Sequence, residues 1–373
     1  MKIAIVHDYI KEYGGAERVL KELVNIYPNA PIYTAFCVKN STAGKEFSNK
    51  KIHESFLAPL LKIWRLYSPL RFLAPLIWKS FNLSEYDLVI TSANWYITRG
   101  FRVGKNTKVI CYCHTPPRWL YGYEMSVGFT KYWPVKIYAA IVGHFMRIYD
   151  YKSAQTVDHW IANSKNVAAR IKKFYKKEST IIYPPVDVKE IVRATKKLKK
   201  EDYYLMVSRL VGAKGLEDAA KAAKKIGFKL KIVGEAHGFA DVEKKLKKLS
   251  GGKIELMGRV SDDERNKLLG KAKGFIALAR EEDFGITPVE AMAAGTPVIA
   301  FKGGGYKESV IDGQTGIFIT EVSGSAISEA VNKLEKKKWD RNILIKQAKK
   351  FSKKNFVRAI KNNVKKYATR HKV

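Results

Sequence analysis

Cysteine is scarce in this chain: Cys37, Cys111 and Cys113 are the only three in 373 residues. So few thiols, odd in number and spread over such a length, build no disulfide framework and point to a reducing compartment. Acidic residues are also few, 35 against 69 lysines and arginines, which leaves a formal net charge of +34. No apolar run approaches the ~20 residues that span a bilayer. The greasiest stretch, Phe56 to Phe81, is interrupted by Lys62, Arg65, Arg71 and Lys79. The N-terminus enters an apolar strand at once and shows no secretory signal. A cytoplasmic protein is the expectation.

Several catalytic signatures are missing as well. The chain has no G-x-S-x-G elbow, no G-x-x-x-x-G-K-[ST] phosphate loop, no H-E-x-x-H and no complete G-x-G-x-x-G. It also lacks a D-x-D pair, so no carboxylate seat for a divalent metal on a diphosphate is evident. Phosphate chemistry in this chain has to rest on side-chain cations and backbone amides, and no metal is expected.

What is present excludes a disordered basic tail. Hydrophobic residues make up 46% and aromatics 12%, ample for a core. At roughly 150 residues per domain the length favours two domains, or one large one. Short apolar runs alternate with amphipathic helical stretches throughout, the pattern of an α/β chain with parallel sheets. Strands are predicted at Lys2–His7, Ile32–Phe36, Leu88–Thr91, Lys108–Cys113, Trp160–Ala162 and Thr180–Tyr183. A second set is predicted at Tyr204–Val207, Lys229–Val233, Ile254–Met257, Phe275–Leu278, Val298–Phe301 and Ile317–Ile319. Between the sets, Pro184-Pro185 ends a strand and a lysine-rich segment follows. The expected domains are 1–186 on the acceptor side, 187–350, and a closing helix at 351–373.

Four clusters stand at strand ends, where open parallel sheets bind ligands. The densest runs from Glu282 to Pro297. A loop containing Gly285 leads into a helix that Thr287 and Glu290 would open as a capping box, with Pro288 at its first position. The amides of that helix start would also suit an anion. The second cluster, Ser208-Arg209-Leu210 with Lys214-Gly215, offers a guanidinium fork and an ammonium to phosphates. The third is His7-Asp8 followed by Gly14-Gly15, where glycines let backbone amides approach a ligand or simply make a tight turn. The fourth is Cys111-Tyr112-Cys113-His114-Thr115-Pro116-Pro117. A zinc site there would need two further ligands with no candidates, so buried thiols are the reading adopted.

Taken in order, Gly14-Gly15, His114, Ser208-Arg209-Leu210, Lys214-Gly215 and Glu282-x7-Glu290 resemble the retaining family 4 glycosyltransferases of GT-B fold. The likeness covers nearly the whole chain. Val6-His7-Asp8-Tyr9, His114-Thr115-Pro116-Pro117-Arg118 and Tyr183-Pro184-Pro185-Val186-Asp187 are similar to the polysaccharide and O-antigen mannosyltransferase subgroup. The resemblance implies two doubly wound Rossmann-like domains facing each other across a cleft. It implies that Arg209 and Lys214 hold the donor diphosphate and that Glu282 contacts the transferred sugar. Phe284, Gly285 and Ile286 would supply amides to sugar and phosphate, and Glu290 would bind the ribose. Gly14 and Gly15 would meet the diphosphate, His114 the reacting sugar, and Gly258, Arg259 and Val260 the nucleobase. The helix from Phe351 to Tyr367 would cross back onto the first domain.

The implied reaction is retaining, metal-independent transfer of a hexose, mannose by the subgroup likeness. The donor would be GDP-mannose or a UDP-sugar acting as co-substrate, with no other cofactor. The acceptor would be a glycan or a polyprenyl or other lipid-linked saccharide. Residues 55–79 mix Trp, Phe and Leu with basic side chains, as interfacial anchors do. They lead to the expectation of a peripheral protein on the anionic inner face of the cell membrane, touching it through Trp64, Arg65, Arg71, Trp78 and Lys79. The alternative for these apolar residues is core packing. Two other readings of the whole chain compete with this one. A nucleic-acid-binding protein would suit the charge, but the lysines come as scattered pairs and no nucleic-acid module is present. A sugar-nucleotide-binding protein without turnover is opposed by the intact Glu282, Arg209 and Lys214.

Overall fold

The computed structural model describes residues 1–63, 66–123, 133–235 and 242–368. Thirteen strands are described, all in parallel pairings. Their Val, Ile and Leu runs suit strands covered on both faces, because each successive side chain meets a different helical layer.

One compact unit comprises described residues up to 123, 133–185 and 354–368. Its strands are β1 (Ile3–His7), β2 (Ile32–Thr34), β3 (Ile52–Glu54), β4 (Leu88–Ala93), β5 (Lys108–Cys113), β6 (His159–Ala162) and β7 (Ser179–Ile181). Its helices are α1 (Gly15–Ile26), α2 (Thr42–Glu46), α3 (Ala58–Lys62), α4 (Ala74–Lys79), α5 (Trp133–Ala154) and α6 (Lys165–Tyr175). The sheet order is β3-β2-β1-β4-β5-β6-β7, so the winding reverses between β1 and β4. Side-chain parity divides its core. Ala4, Val6, Val89, Val109 and Trp160 pack on one face with Ile77 and Trp78. Ile5, Ile90, Ile110 and Ile161 pack on the other with Leu20 and Leu23 of α1.

The second unit spans described residues 186–353. Its strands are β8 (Tyr204–Val207), β9 (Leu230–Val233), β10 (Ile254–Gly258), β11 (Gly274–Ala277), β12 (Val298–Phe301) and β13 (Gly316–Ile319). Its helices begin with α7 (Val188–Thr195), α8 (Leu216–Ile226), α9 (Val242–Leu249) and α10 (Asp262–Lys271). They continue with α11 (Ile286–Ala293), α12 (Tyr306–Ser309), α13 (Gly324–Glu335) and α14 (Arg341–Lys349). The sheet order β10-β9-β8-β11-β12-β13 places a second reversal between β8 and β11.

The last helix, α15 (Lys353–Ala368), sets Phe356, Ile360 and Val364 into the Ile5 face of the first unit's sheet. Tyr367 stacks on His159 at 3.6 Å between ring centres. Helix and strand limits differ from expectation by a few residues. Phe351 precedes α15, belongs to the second unit, and sets its ring at a tilt against Phe284 of that same unit, 5.2 Å between ring centres. Strand β3 has no counterpart among the predicted strands, because Ile-His-Glu is short, half-buried and lies at the sheet edge.

The segment 55–79 departs most from the surface expectation. Pro59, Pro69 and Pro75 sit at starts of short helical turns, dividing it as the prolines suggest. Trp78, however, is wholly buried, and its indole N–H donates to the Tyr96 carbonyl at 2.7 Å. Arg71 lies between two indoles, 4.7 Å from the ring centres of both Trp95 and Trp119. Its Nε donates to the Ser68 carbonyl at 2.8 Å. Trp78 is away from the surface and Arg71 is half-buried: the planar guanidinium is more stable against aromatic faces, and the indole needs both apolar cover and an acceptor. Lys79 is exposed, while Trp64 and Arg65 lie outside the described residues.

Candidate active site

In the first unit, the chemistry-bearing side chains gather where β1, β4 and β5 end. Pairing of β1 with β4 puts His7 opposite Ser92, and the His114 amide donates to Ala93 just past β5. Ser92 Oγ therefore stands between two imidazoles, 3.0 Å from His7 Nδ1 and 2.8 Å from His114 Nε2. One hydroxyl carries one proton, so it can donate to only one of the two rings, and the imidazole tautomers set the direction of each bond. Burial, and then the neighbouring His7, push the His114 pKa down to about 3. His114 is thus neutral at physiological pH and offers a hydrogen bond but no positive charge. On the other side of His7, Nε2 is 3.5 Å from a Glu17 carboxylate oxygen. The same carboxylate accepts from the Gly14 amide at 2.8 Å, so Glu17 ties the Gly14-Gly15 turn to the histidine chain.

Asp8, adjacent to this chain, is committed to structure. Its carboxylate accepts from the amides of Asn94, Trp95 and Tyr96 and from the Thr98 hydroxyl. Four donors clamp the loop after β4. Cys111 and Cys113 are buried free thiols on one strand face, and burial raises the Cys111 pKa to about 12.

In the second unit, the site residues lie at the carboxyl ends of β8 and β11, the strands flanking the winding reversal. A short turn after β8 carries Arg209 and Lys214. Lys214 Nζ reaches a Glu282 carboxylate oxygen at 2.5 Å, and the Tyr306 hydroxyl donates to the same oxygen at 3.4 Å. Arg209 is exposed on the same turn. Gly285, with φ +85°, lets the 282–285 loop pass the Tyr306 ring, where any Cβ would collide. Phe284 is buried behind that loop, and Ile286 opens α11.

The start of α11 corrects the capping expectation. Gly285 is the N-cap, so Ile286, Thr287 and Pro288 are the first three helical residues and no capping box forms. Glu290 lies deeper in the helix, buried, with its carboxylate 3.3 Å from the Arg265 guanidinium of α10. Arg265 also bonds Asp262 at 2.5 Å. Nothing in the spacing of Glu290 pointed to Arg265, because the partner lies on another helix.

Gly258, at the end of β10, has φ +65°, and its carbonyl accepts from the Gly234 amide at 2.8 Å. Arg259 is exposed and Val260 half-buried beside it. A cavity of about 370 Å³ lies among Leu210, Gly234, Glu243, Lys247, Leu256 and Gly258. Gly234 is required there, since a Cβ would overlap the Ser208 carbonyl. Among the described residues, no three His, Cys, Asp or Glu side chains are grouped as metal ligands.

Comparison with known proteins bears on the family and the fold. The family model described as Glycosyltransferase Family 4 matches residues 13–190, and that described as Glycosyl transferases group 1 matches residues 187–351. An uncharacterized glycosyltransferase of Methanocaldococcus jannaschii is 32% identical over 209 residues, 55% of this chain and 58% of that relative's length. An alpha-1,3/1,6-mannosyltransferase of Dictyostelium discoideum is 22% identical over 334 residues, 77% of each chain. The fold matches that of Anabaena HepE, solved in complex with UDP-glucose, with a TM-score of 0.68 and 17% identity over 98% of this chain and 100% of that one. With two parallel Rossmann-like sheets and family matches running from residue 13 to residue 351, the chain belongs to the GT-B family of glycosyltransferases.

Proposed function

We propose that this protein is a retaining, metal-independent hexosyltransferase that takes mannose from a nucleotide-diphosphate sugar and delivers it to a glycan or a lipid-linked saccharide. The observation that carries the reading is the Lys214–Glu282 contact beside the exposed Arg209, at the two strand exits of the second unit. Breaking the sugar–diphosphate bond builds negative charge on the leaving oxygen. Arg209 and Lys214 are cations suited to that charge, whereas the neutral His114 suits a sugar hydroxyl. Glu282 can accept hydrogen bonds from the transferred sugar while orienting Lys214. Gly14 and Gly15 are assigned to the diphosphate, and the amides of Phe284, Gly285 and Ile286 to sugar and phosphate. The cavity bordered by Gly258, with Arg259 and Val260 beside it, suits a nucleobase by size.

A nucleotide-sugar donor is supported by the UDP-glucose complex of the Anabaena neighbour, and mannose by the mannosyltransferase relative. No helix among the described residues is long and apolar enough to cross a membrane. The proposed place of action is the cytoplasmic face of the cell membrane, where lipid-linked acceptors are presented.

Thermal-shift measurements with GDP-mannose, UDP-glucose, UDP-GlcNAc, UDP-galactose and a dTDP-sugar test the donor. A ligand bound only by the folded state at 100 times its Kd adds about 2.7 kcal/mol of stability. GDP-mannose should raise the melting temperature most. A response to UDP-sugars alone overturns the mannose assignment, and no response to any donor overturns the donor site.

Glu290→Gln is expected to weaken donor binding and to lower stability by about 2 kcal/mol, through loss of the charge-assisted contact with Arg265. Urea unfolding and calorimetric titration separate the effects. Lost stability with unchanged donor affinity would show that Glu290 serves the helix pair and not the ribose.

A further inference from the structure

Large apolar side chains on the surface of this protein are concentrated in two segments of the first unit. Fifteen are exposed among the described residues, and the second unit contributes only Ile343. Six of the fifteen belong to α5 and five more to residues 56–76. On α5, Trp133, Ile137, Ile141, Phe145 and Ile148 recur every three or four residues, so they share one side of the helix. They are 42–72% exposed. Met146, Asp150, Ser153 and Ala154 are buried on the opposite side, with Asp150 tied to Arg99. An α5 that is apolar on both sides has one side buried in the core and one left for another apolar medium. The exposed Phe72, four residues before the exposed Leu76, adjoins it, for Tyr138 of α5 meets Phe72 and donates to the Pro69 carbonyl.

The charges on α5 indicate what that medium is. Its only acidic residue, Asp150, is buried, while Lys136, Arg147 and Lys152 are exposed. The whole chain carries +34, so two copies brought face to face would repel, whereas an anionic surface would attract. A helix with Trp, Phe and Ile on one side, flanked only by basic groups, is built for the interface of an anionic bilayer.

We propose that the outer side of α5, continued by Phe72 and Leu76, docks this protein onto anionic phospholipid membranes. The proposal supplies the surface for the membrane-side action proposed above and rests on that part of the reading, but not on the donor site. It also replaces Trp78, which is buried, and Arg71, which is half-buried between two indoles, as the contacting residues.

The test is sedimentation of the full chain with phosphatidylcholine vesicles, with and without phosphatidylglycerol. Wild type should pellet with the anionic vesicles and be released by salt. The double variant Ile141→Glu, Phe145→Glu should partition roughly tenfold less or weaker still, as burying charge opposes insertion. Ile343→Glu should bind like wild type. Circular dichroism and the thermal shift with donor should be unchanged in both, which separates loss of docking from loss of the donor site. As a second readout, a polarity-sensitive dye on Phe145→Cys should shift to the blue with anionic vesicles, while the same dye on Ile343→Cys should not. The three native cysteines are buried and leave the label specific. Equal binding by wild type and the double variant, or no binding by wild type at low salt, overturns the proposal. So does a wild-type dimer that the double variant dissociates, which would make this face an interface between copies.

Discussion

Arg209→Ala should lower the turnover of sugar transfer by about 10²-fold or more, the scale of removing one preorganised electrostatic stabiliser. The melting temperature should not change, because Arg209 is exposed at the end of its turn. Lys214→Ala provides the contrast. Lys214 contacts Glu282 at 2.5 Å, so its loss should impair turnover and also unsettle the carboxylate assigned to the sugar. Arg209→Lys should recover only part of the activity, since a point charge does not reproduce a guanidinium fork on a diphosphate. Activity should persist in EDTA. Loss of activity in chelator, restored by magnesium or manganese, would show that a metal carries the leaving-group charge and that the role given to Arg209 is wrong. Full activity of Arg209→Ala would be equally decisive.

The largest stability effect is expected from Asp150→Ala. Asp150 of α5 and Arg99 are both buried, and their charged groups are in direct contact. The Tyr121 hydroxyl donates to the carboxylate at 2.6 Å and that of Tyr175 at 3.3 Å. The Arg99 guanidinium also lies 5.2 Å from the Trp160 ring centre and 5.0 Å from that of Tyr175. Removing the carboxylate leaves a guanidinium without its counter-charge where water cannot reach it, a loss of about 3–5 kcal/mol. Replacing both partners is a smaller perturbation. Arg99→Met with Asp150→Ala should be more stable than Asp150→Ala alone, because no buried charge is then left unpaired. Urea unfolding of the four proteins in this cycle measures the coupling. A cost below about 1 kcal/mol for Asp150→Ala would place the pair with ordinary surface contacts and contradict its burial.

The α/β architecture was legible in the sequence because its signal is local. Runs such as Lys108–Cys113 and Val298–Phe301 are apolar without alternation, which only a strand covered on both faces accommodates, and each is a strand in the structure. Strand ends were legible for the same reason, and with them the positions of Arg209, Lys214, Glu282 and His114. Glycine at 285 signalled a turn, but not that the turn itself caps α11. That depended on φ +85° and on the Tyr306 ring packed against it, 21 residues further along.

Tertiary structure alone decided how those positions are partnered. His7, Ser92 and His114 are separated by 85 and 22 residues, and strand register joins them. Glu290 takes its charge partner from α10, and Arg71 finds two indoles from different loops. The same limit applies to apolar residues. Sequence singled out residues 55–79 as rich in Trp, Phe and Leu but did not mark α5, for burial belongs to two surfaces and a chain read in order shows only one. Trp78 met the core and Phe145 did not, and that difference was set by which neighbours the sheet brought against each.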